Sequence, residues 1–124
     1  MGITDFDGKK LITFNEYQGE CVKTDVGTSA QDNLRPGWMY YVLGIGGETG
    51  ELLEKVKKLF RDDYGKVTEE RRKAIALEMG DILWYMARLC DHLEIKFDDV
   101  AFMNIDKLQS RQKREKLHGD GDER

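Results

Sequence analysis

Apolar residues recur at steps of three and four along most of the chain, the pattern of helices that each bury one face. Segments that alternate with a period of two, as half-buried strands do, are almost absent. The pattern therefore predicts an all-α chain. The two clearest apolar stripes comprise Ile45, Leu52, Val56 and Leu59 in one segment, and Ile75, Met79, Ile82, Met86, Leu89 and Leu93 in a later one.

Capping residues and turn formers divide this pattern into separate helices. Thr13 and Glu16 have the spacing of a capping box, and Thr68 precedes two acids that favour a helix N-terminus. Gly65 provides a helix stop, and Asp98 is a candidate cap for the last helix. The predicted helices span about 14–25, 38–61, 68–94 and 99–113.

The remaining segments are predicted to be an N-terminal arm (1–12), a loop (26–37) and a polar C-terminal tail (114–124). Four helices joined by short to medium loops are typical of a four-helix bundle. A length of 124 residues corresponds to one domain. We therefore expect a single helical domain over 1–124.

Composition narrows the choice of function. The formal net charge is −4, which disfavours stable nucleic-acid binding, although an acidic protein can bind a polyanion when metal ions bridge the two. Cys21 and Cys90 have no zinc-site spacing and are expected to be buried thiols in a reducing cytoplasm. No apolar run approaches transmembrane length, and the first residues lack a signal-peptide core, so we expect a cytoplasmic protein without a membrane partner.

In both segments, carboxylates lie on the helical face one position before that of the apolar stripe. They are Glu48 and Glu51 in the second predicted helix, and Glu78 and Asp81 in the third. If the two helices pack along their stripes, the four carboxylates converge and repel one another unless cations neutralise them. Oxygen ligands suit Mg²⁺, with Mn²⁺ as a possible substitute. On spacing alone, a metal site and a solvated acidic face remain alternatives.

Other motifs are weaker. Asn104, Lys107 and Arg111 share a face of the fourth helix and could hold phosphate, but the residues alone favour a solvent-exposed basic face near a helix end. The stretch GIGGETG matches neither a dinucleotide-binding loop nor a Walker loop. Its glycines each weaken a helix by roughly 1 kcal/mol, which suggests that a neighbouring helix or a ligand approaches closely beside Glu48. The sparse histidines support neither a di-iron bundle nor nucleophilic triad chemistry.

The stretches GGETGELLEKVKKLFRDD and EMGDILWYMARLCDHLEI together resemble the MazG-type branch of the all-α nucleoside triphosphate pyrophosphatase superfamily. That family's signature is ExxE followed by ExxD, which here is Glu48-x-x-Glu51 and Glu78-x-x-Asp81 with 26 residues between the pairs. NEYQ near the start and NIDKLQSRQKREKLHGDGDER near the end resemble further segments of the family. The resemblance therefore covers most of the chain from about Asn15 onward.

The resemblance implies a four-helix bundle that assembles as a homodimer or dimer of dimers. It also implies hydrolysis of an NTP or dNTP to the monophosphate and pyrophosphate, with the four motif carboxylates holding Mg²⁺. The further residues that it implies in substrate binding are Lys55 or Lys58, Tyr85, Asn104, Lys107 and Arg111 for phosphate or sugar, and Tyr17, Gln18 and Trp38 for the base pocket. The alternatives are a related enzyme for dUTP or a phosphoribosyl nucleotide, and a non-enzymatic helical dimerisation module. Base preference, sugar preference and physiological role stay open.

Overall fold

The computed structural model describes residues 11–26 and 37–114, and within these ranges all the regular secondary structure is helical. Its elements are α1 (Phe14–Cys21), which continues as a 3-10 turn (Val22–Thr24), α2 (Gly37–Asp63), α3 (Glu69–His92) and α4 (Phe97–Lys113). The prediction of an all-α fold is confirmed. Residues 1–10, 27–36 and 115–124, on which the predicted arm, loop and tail largely fall, lie outside the described residues.

The helix starts follow the predicted caps. Thr13 and Glu16 form a complete capping box, in which the Thr13 side chain accepts from the Glu16 N–H and the Glu16 carboxylate accepts from the Thr13 N–H. The Thr68 hydroxyl accepts from the Arg71 N–H at the start of α3. Gly65 adopts a φ of +78°, and its N–H donates to the carbonyl of Leu59, so it ends α2 as predicted.

Three predicted boundaries were wrong for local reasons. The first α-helix ends at Cys21 rather than about residue 25, because the chain tightens to a 3-10 turn and is extended at Asp25. The third ends at His92, because Glu94 has a φ of +57° and the Ile95 N–H donates back to the carbonyl of Cys90. Asp98 does not cap α4, whose cap is Lys96.

The reason for the last difference is a contact between α1 and α4. The Asp98 carboxylate accepts a hydrogen bond from the N–H of Asn15, and the Asn15 side chain accepts one from the N–H of Asp98. This reciprocal pair joins the starts of α1 and α4. The Asp98 carboxylate, which was predicted to cap α4, therefore links α4 to α1 instead.

The two long helices α2 and α3 form an antiparallel pair with the most extensive packing in the chain. The pairing direction follows from the contacts: Tyr85 lies against Gly44, whereas Lys55, further along α2, meets the earlier Glu78 of α3. α1 packs on the other side of α3 and also contacts α4. Residues that approach each other across α2 and α3 are therefore far apart in sequence, and the candidate site lies along this pair.

The buried core lies between α1, α3 and the start of α4. Its members are Cys21, Ala87, Cys90 and Phe97, with Tyr17, Leu83, Trp84, Met86 and Val100 packed against them. Both cysteines are free and buried, as expected. The predicted stripe on α3 is only partly correct: Met79 and Leu93 are largely exposed. Because α3 packs against α2 on one side and α1 on another, its buried surface is wider than one stripe and is turned toward Ala87 and Cys90.

A charged network anchors the segment after α1. Arg88 is buried, its Nε donates to Asp25 Oδ2 at 2.8 Å, and its Nη1 donates to Asp91. The hydroxyl of the fully buried Tyr41 also donates to Asp25. Trp84 adds a hydrogen bond of 2.7 Å from its Nε1 to the Thr24 hydroxyl. The network thus holds the end of the 3-10 turn against both α2 and α3.

Candidate metal centre and nucleotide site

Three of the four predicted carboxylates meet where α2 faces α3. Carboxylate oxygens of Glu48, Glu78 and Asp81 all lie within 4.8 Å of one another. We refer to these three residues as the carboxylate cluster. Glu78 and Asp81 are one helical turn apart on α3, and α2 brings Glu48 opposite them, as the matched phase of the two stripes indicated.

Glu51 does not join the cluster in this structure. It is exposed on α2, one turn beyond Glu48, and it is near enough for its negative charge to act on Glu48. Its predicted role as a metal ligand stays a prediction. The convergence of the other three carboxylates was predictable from helical phase, whereas the position of the Glu51 carboxylate depends on a rotamer of an exposed side chain.

The carboxylate cluster carries an excess of negative charge. The pKa of Glu48 is raised, first because the side chain is partly buried and then because Asp81, Glu78 and Glu51 are negatively charged. Lys55 supplies one compensating charge, with its Nζ 3.5 Å from Oε1 of Glu78. Three oxygen donors of this kind fit a hard divalent cation such as Mg²⁺ or Mn²⁺.

Tyr85 closes one end of the cluster. It lies one turn after Asp81 on α3, and its ring packs directly on the α2 backbone at Gly44, one turn before Glu48. The pKa of Tyr85 is raised by burial, then by its hydrogen bond with Tyr40, with smaller contributions from the negative charges of Glu48 and Asp81. A predicted substrate-contact residue is thus brought beside the cluster.

Tyr40 was not among the predicted site residues, and the specific role of Gly44 was not predicted. Tyr40, Gly44 and Glu48 follow one another at steps of four, so they share one face of α2. That spacing was the available signal. Tyr40 is partly exposed, and its ring centroid lies 6.2 Å from that of Tyr85, so the two tyrosines form an aromatic edge beside the carboxylates. Close helix approach, which the glycines suggested, occurs at Gly44, whereas a Cβ at Gly46, Gly47 or Gly50 would meet open space.

Tyr17 is a further predicted residue that reaches the cluster's surroundings. Its hydroxyl donates to the carbonyl of Gly80 at 3.4 Å, and Gly80 lies between Glu78 and Asp81 in sequence. Its pKa is raised, chiefly by burial, then by its hydrogen bond with Cys21. α1 therefore supports the α3 backbone at the point from which Glu78 and Asp81 project.

Gln18 serves a different part of the fold. Its amide nitrogen donates to Asp91 Oδ1 at 2.8 Å and to the carbonyl of Ile95 at 2.9 Å, and its amide oxygen accepts from the Phe97 N–H at 2.9 Å. The side chain is buried. In this structure its polar atoms join α1 to the turn between α3 and α4.

The other predicted contact residues are not gathered at the cluster within this chain. Trp38 is partly exposed at the start of α2. Nζ of Lys58 lies 3.9 Å from Oε1 of Glu54 on the same helix. α4 packs chiefly against α1, and the residues of its predicted phosphate-binding face differ in burial. Asn104 is exposed, Lys107 is partly buried and Arg111 is buried.

Comparison with known proteins identifies the family of the chain. The model of the MazG nucleotide pyrophosphohydrolase domain matches residues 39–115. The chain belongs to this family. The matched range contains α3, α4 and nearly all of α2, and therefore all four signature carboxylates. The family assignment made from the sequence is confirmed.

One curated relative is a phage protein. The chain is 42% identical over 88 residues to the Gene 37 protein of Mycobacterium phage L5, an alignment that covers 71% of this chain and 77% of that protein. No solved structure matches the chain. Among the described residues, no helix is both long and apolar enough to cross a membrane.

Proposed function

We propose that this MazG-family chain hydrolyses a nucleoside triphosphate, an NTP or dNTP, to the monophosphate and pyrophosphate with Mg²⁺. Mn²⁺ is the expected substitute. The main support for this proposal is the carboxylate cluster of Glu48, Glu78 and Asp81, which α2 and α3 form in a chain of the MazG nucleotide pyrophosphohydrolase family. Such an activity would serve housecleaning or control of a nucleotide pool.

When bound, the divalent ion would offset the charge of the triphosphate and lower the pKa of a water. The three residues of the carboxylate cluster would hold the ion. Glu51 stands exposed beside Glu48, so it is the carboxylate best placed to accept a proton from the attacking water. In this proposal Glu48 is a ligand and Glu51 is the general base, which could also reach the ion as a fourth ligand after a change of rotamer.

The two ends of the site, along the α2–α3 pair, carry different kinds of side chain. Lys55 stands beside Glu78 on one side, and the Tyr40–Tyr85 edge stands beside Glu48 on the other. An ammonium suits phosphate oxygens, and aromatic rings suit a sugar or base. We therefore place the phosphate chain toward Lys55 and the nucleoside toward Tyr85. Lys58, Asn104, Lys107, Arg111 and Trp38 remain proposed contacts from family similarity.

We also propose that the chain works as a homodimer or a dimer of dimers. The back of α2, away from α3, carries a second apolar series formed by Val42, Leu53 and Phe60, of which Leu53 is 65% and Phe60 67% exposed. Phe102, Met103 and Ile105 of α4 are likewise more than half exposed. Apolar side chains repeated along two helices are suited to cover one another in a symmetric assembly.

The deciding experiment is a panel of NTPs and dNTPs incubated with the purified chain and Mg²⁺, with release of pyrophosphate as the readout. Asp81→Asn should reduce turnover by at least about a hundredfold. Asp106→Asn, the same change at an exposed position of α4, should leave it unaltered. Turnover of no nucleotide, or full activity of Asp81→Asn, would refute the proposal.

The same panel separates the alternatives. Exclusive turnover of dUTP or of a phosphoribosyl nucleotide would assign the chain to a neighbouring specificity. A helical dimerisation module without a metal site should turn over nothing, and millimolar Mg²⁺ should not raise its melting temperature.

A further inference from the structure

Among the described residues, Lys55 is the one basic side chain that forms an ion pair with the carboxylate cluster. Its Nζ lies 3.5 Å from Oε1 of Glu78, whose side chain is 15% exposed, while the Lys55 side chain is 35% exposed. A flexible ammonium thus occupies the edge of the position where the carboxylates would hold a cation. It is exposed enough to turn away without disturbing the core.

We propose that Lys55 is an exchangeable counter-cation, which opposes binding of a free divalent ion and favours binding of the ion already complexed to a triphosphate. This inference rests on the proposed function. In the protein without nucleotide, Lys55 would pair with Glu78. Once the metal–triphosphate complex is bound, the ammonium would turn to a phosphate oxygen.

The net charge of the incoming species determines whether Lys55 repels or attracts it. A free divalent ion is attracted by three carboxylates but repelled by the adjacent ammonium. A divalent ion carried by a triphosphate arrives with a net negative charge, so the same ammonium attracts the complex. At distances of several ångströms in a partly solvated site, one unit charge changes the affinity for a divalent ion by roughly three- to tenfold.

The side chain has the reach that this exchange needs. Lys55 lies four residues after Glu51 and seven after Glu48 on α2, so it shares the face that carries both carboxylates. Four methylenes allow the ammonium to move several ångströms while α2 stays in place. Glu78 would give up its ion pair as it acquires the metal, so its charge stays compensated in both states.

The test measures binding of Mn²⁺ alone, by electron paramagnetic resonance, to the full chain without nucleotide. Lys55→Gln should bind Mn²⁺ roughly three- to tenfold more tightly than the unsubstituted chain. Lys55→Arg keeps the charge and should bind nearly as the unsubstituted chain does. Lys57→Gln is the matched control, because it removes the same charge from the same helix while its ammonium is paired with Glu54 at 2.8 Å.

A second measurement repeats the titration in the presence of inorganic tripolyphosphate. Tripolyphosphate should tighten Mn²⁺ binding to the unsubstituted chain, and the gain should be smaller in Lys55→Gln. Absence of a gain in the unsubstituted chain, or an equal gain in both, would overturn the exchange.

The two proposals fail in different ways. If neither the unsubstituted chain nor Lys55→Gln binds Mn²⁺, the metal centre itself is refuted. If the unsubstituted chain binds Mn²⁺ and Lys55→Gln binds with equal or lower affinity, the role given to Lys55 is refuted while the metal centre stands. A gain shared by Lys57→Gln would also overturn the inference, because it would reflect the net charge of the chain.

Discussion

The ring of Tyr85 lies on the backbone of Gly44. A Cβ added to Gly44 would stand 2.6 Å from Cζ of Tyr85 and nearer still to Cδ1 and Cε1, which no ordinary packing allows. The two residues belong to different helices and flank the carboxylates, Tyr85 one turn from Asp81 and Gly44 one turn from Glu48. The absence of a Cβ at Gly44 therefore determines how Tyr85 is placed beside the carboxylate cluster.

Gly44→Ala should displace the Tyr85 ring and destabilise the chain by about 1–3 kcal/mol, since overpacking outweighs the gain in helix propensity. Gly19→Ala is the control, because a Cβ at Gly19 meets open space in a helix. Thermal unfolding measures both. In a Tyr85→Ala background the clash is gone, so Gly44→Ala should become neutral or stabilising there. An equal cost in both backgrounds would contradict this account of Gly44.

The sequence was sufficient for the features that depend on helical phase. Glu48 and Asp81 were predicted to lie together because each is on the helical face one position before the apolar stripe of its helix, and the caps at Thr13 and Thr68 were predicted from side-chain chemistry. These features depend on a few neighbouring residues and on one packing assumption. The structure confirms that assumption for α2 and α3.

Features that depend on competition between partners were not predictable. Asp98 has a side chain suited to cap α4, but its carboxylate accepts a hydrogen bond from the N–H of Asn15, which is 83 positions away in sequence. Likewise, Met79 follows the α3 stripe but is 57% exposed, because the surface that α3 buries is shared between two neighbours. Such outcomes depend on which long-range contact forms, and local propensity does not encode that.

Glu48→Gln should lose the metal response without losing the fold. The pKa of Glu48 is raised in the folded chain, so the ionised form of Glu48 destabilises the fold. The contribution of Glu48 to the free energy of unfolding is therefore most favourable below the pKa of the unfolded chain, and it is lost as pH rises through the pKa of the folded chain. At neutral pH, the metal-free variant should therefore melt at or above the temperature of the unsubstituted chain. Millimolar Mg²⁺ should raise the melting temperature of the unsubstituted chain but not of the variant. A variant that melts lower without metal would show that Glu48 is not under electrostatic repulsion.

Arg88→Met should destabilise the fold strongly, because it breaks the charged network that anchors the segment after α1. Removal of the guanidinium leaves Asp25, with a side chain only 10% exposed, without its buried cation. Loss of one partner of a buried ion pair costs about 3–5 kcal/mol. Chemical denaturation measures the loss. Arg61→Met removes a guanidinium that is 60% exposed and is paired with the 41% exposed Asp62, so it should cost less than about 1 kcal/mol. Equal losses in the two variants would contradict the anchoring role of Arg88.

Gln18→Leu separates a structural from a substrate-binding role for this residue. The substitution leaves the buried N–H of Phe97 without its acceptor, so the chain should lose about 1–3 kcal/mol of stability. If Gln18 acts only in the fold, the ratio of kcat/KM between two nucleotide bases should stay constant at a temperature where the variant is folded. A changed ratio would support the base-pocket role that family similarity suggests.

Leu53→Glu tests whether a second copy covers the back of α2. Leu53 is 65% exposed in the single chain and lies in the apolar series between Val42 and Phe60, so a charge there should cost a monomer little. In a dimer the same charge would be buried, and the assembly should dissociate at micromolar concentration. Light scattering coupled to gel filtration measures the mass. Leu11→Glu, at a leucine that is 88% exposed outside this series, should keep the mass of the unsubstituted chain. A Leu53→Glu chain that retains the dimer mass would place the interface elsewhere, with the exposed apolar face of α4 as the next surface to substitute.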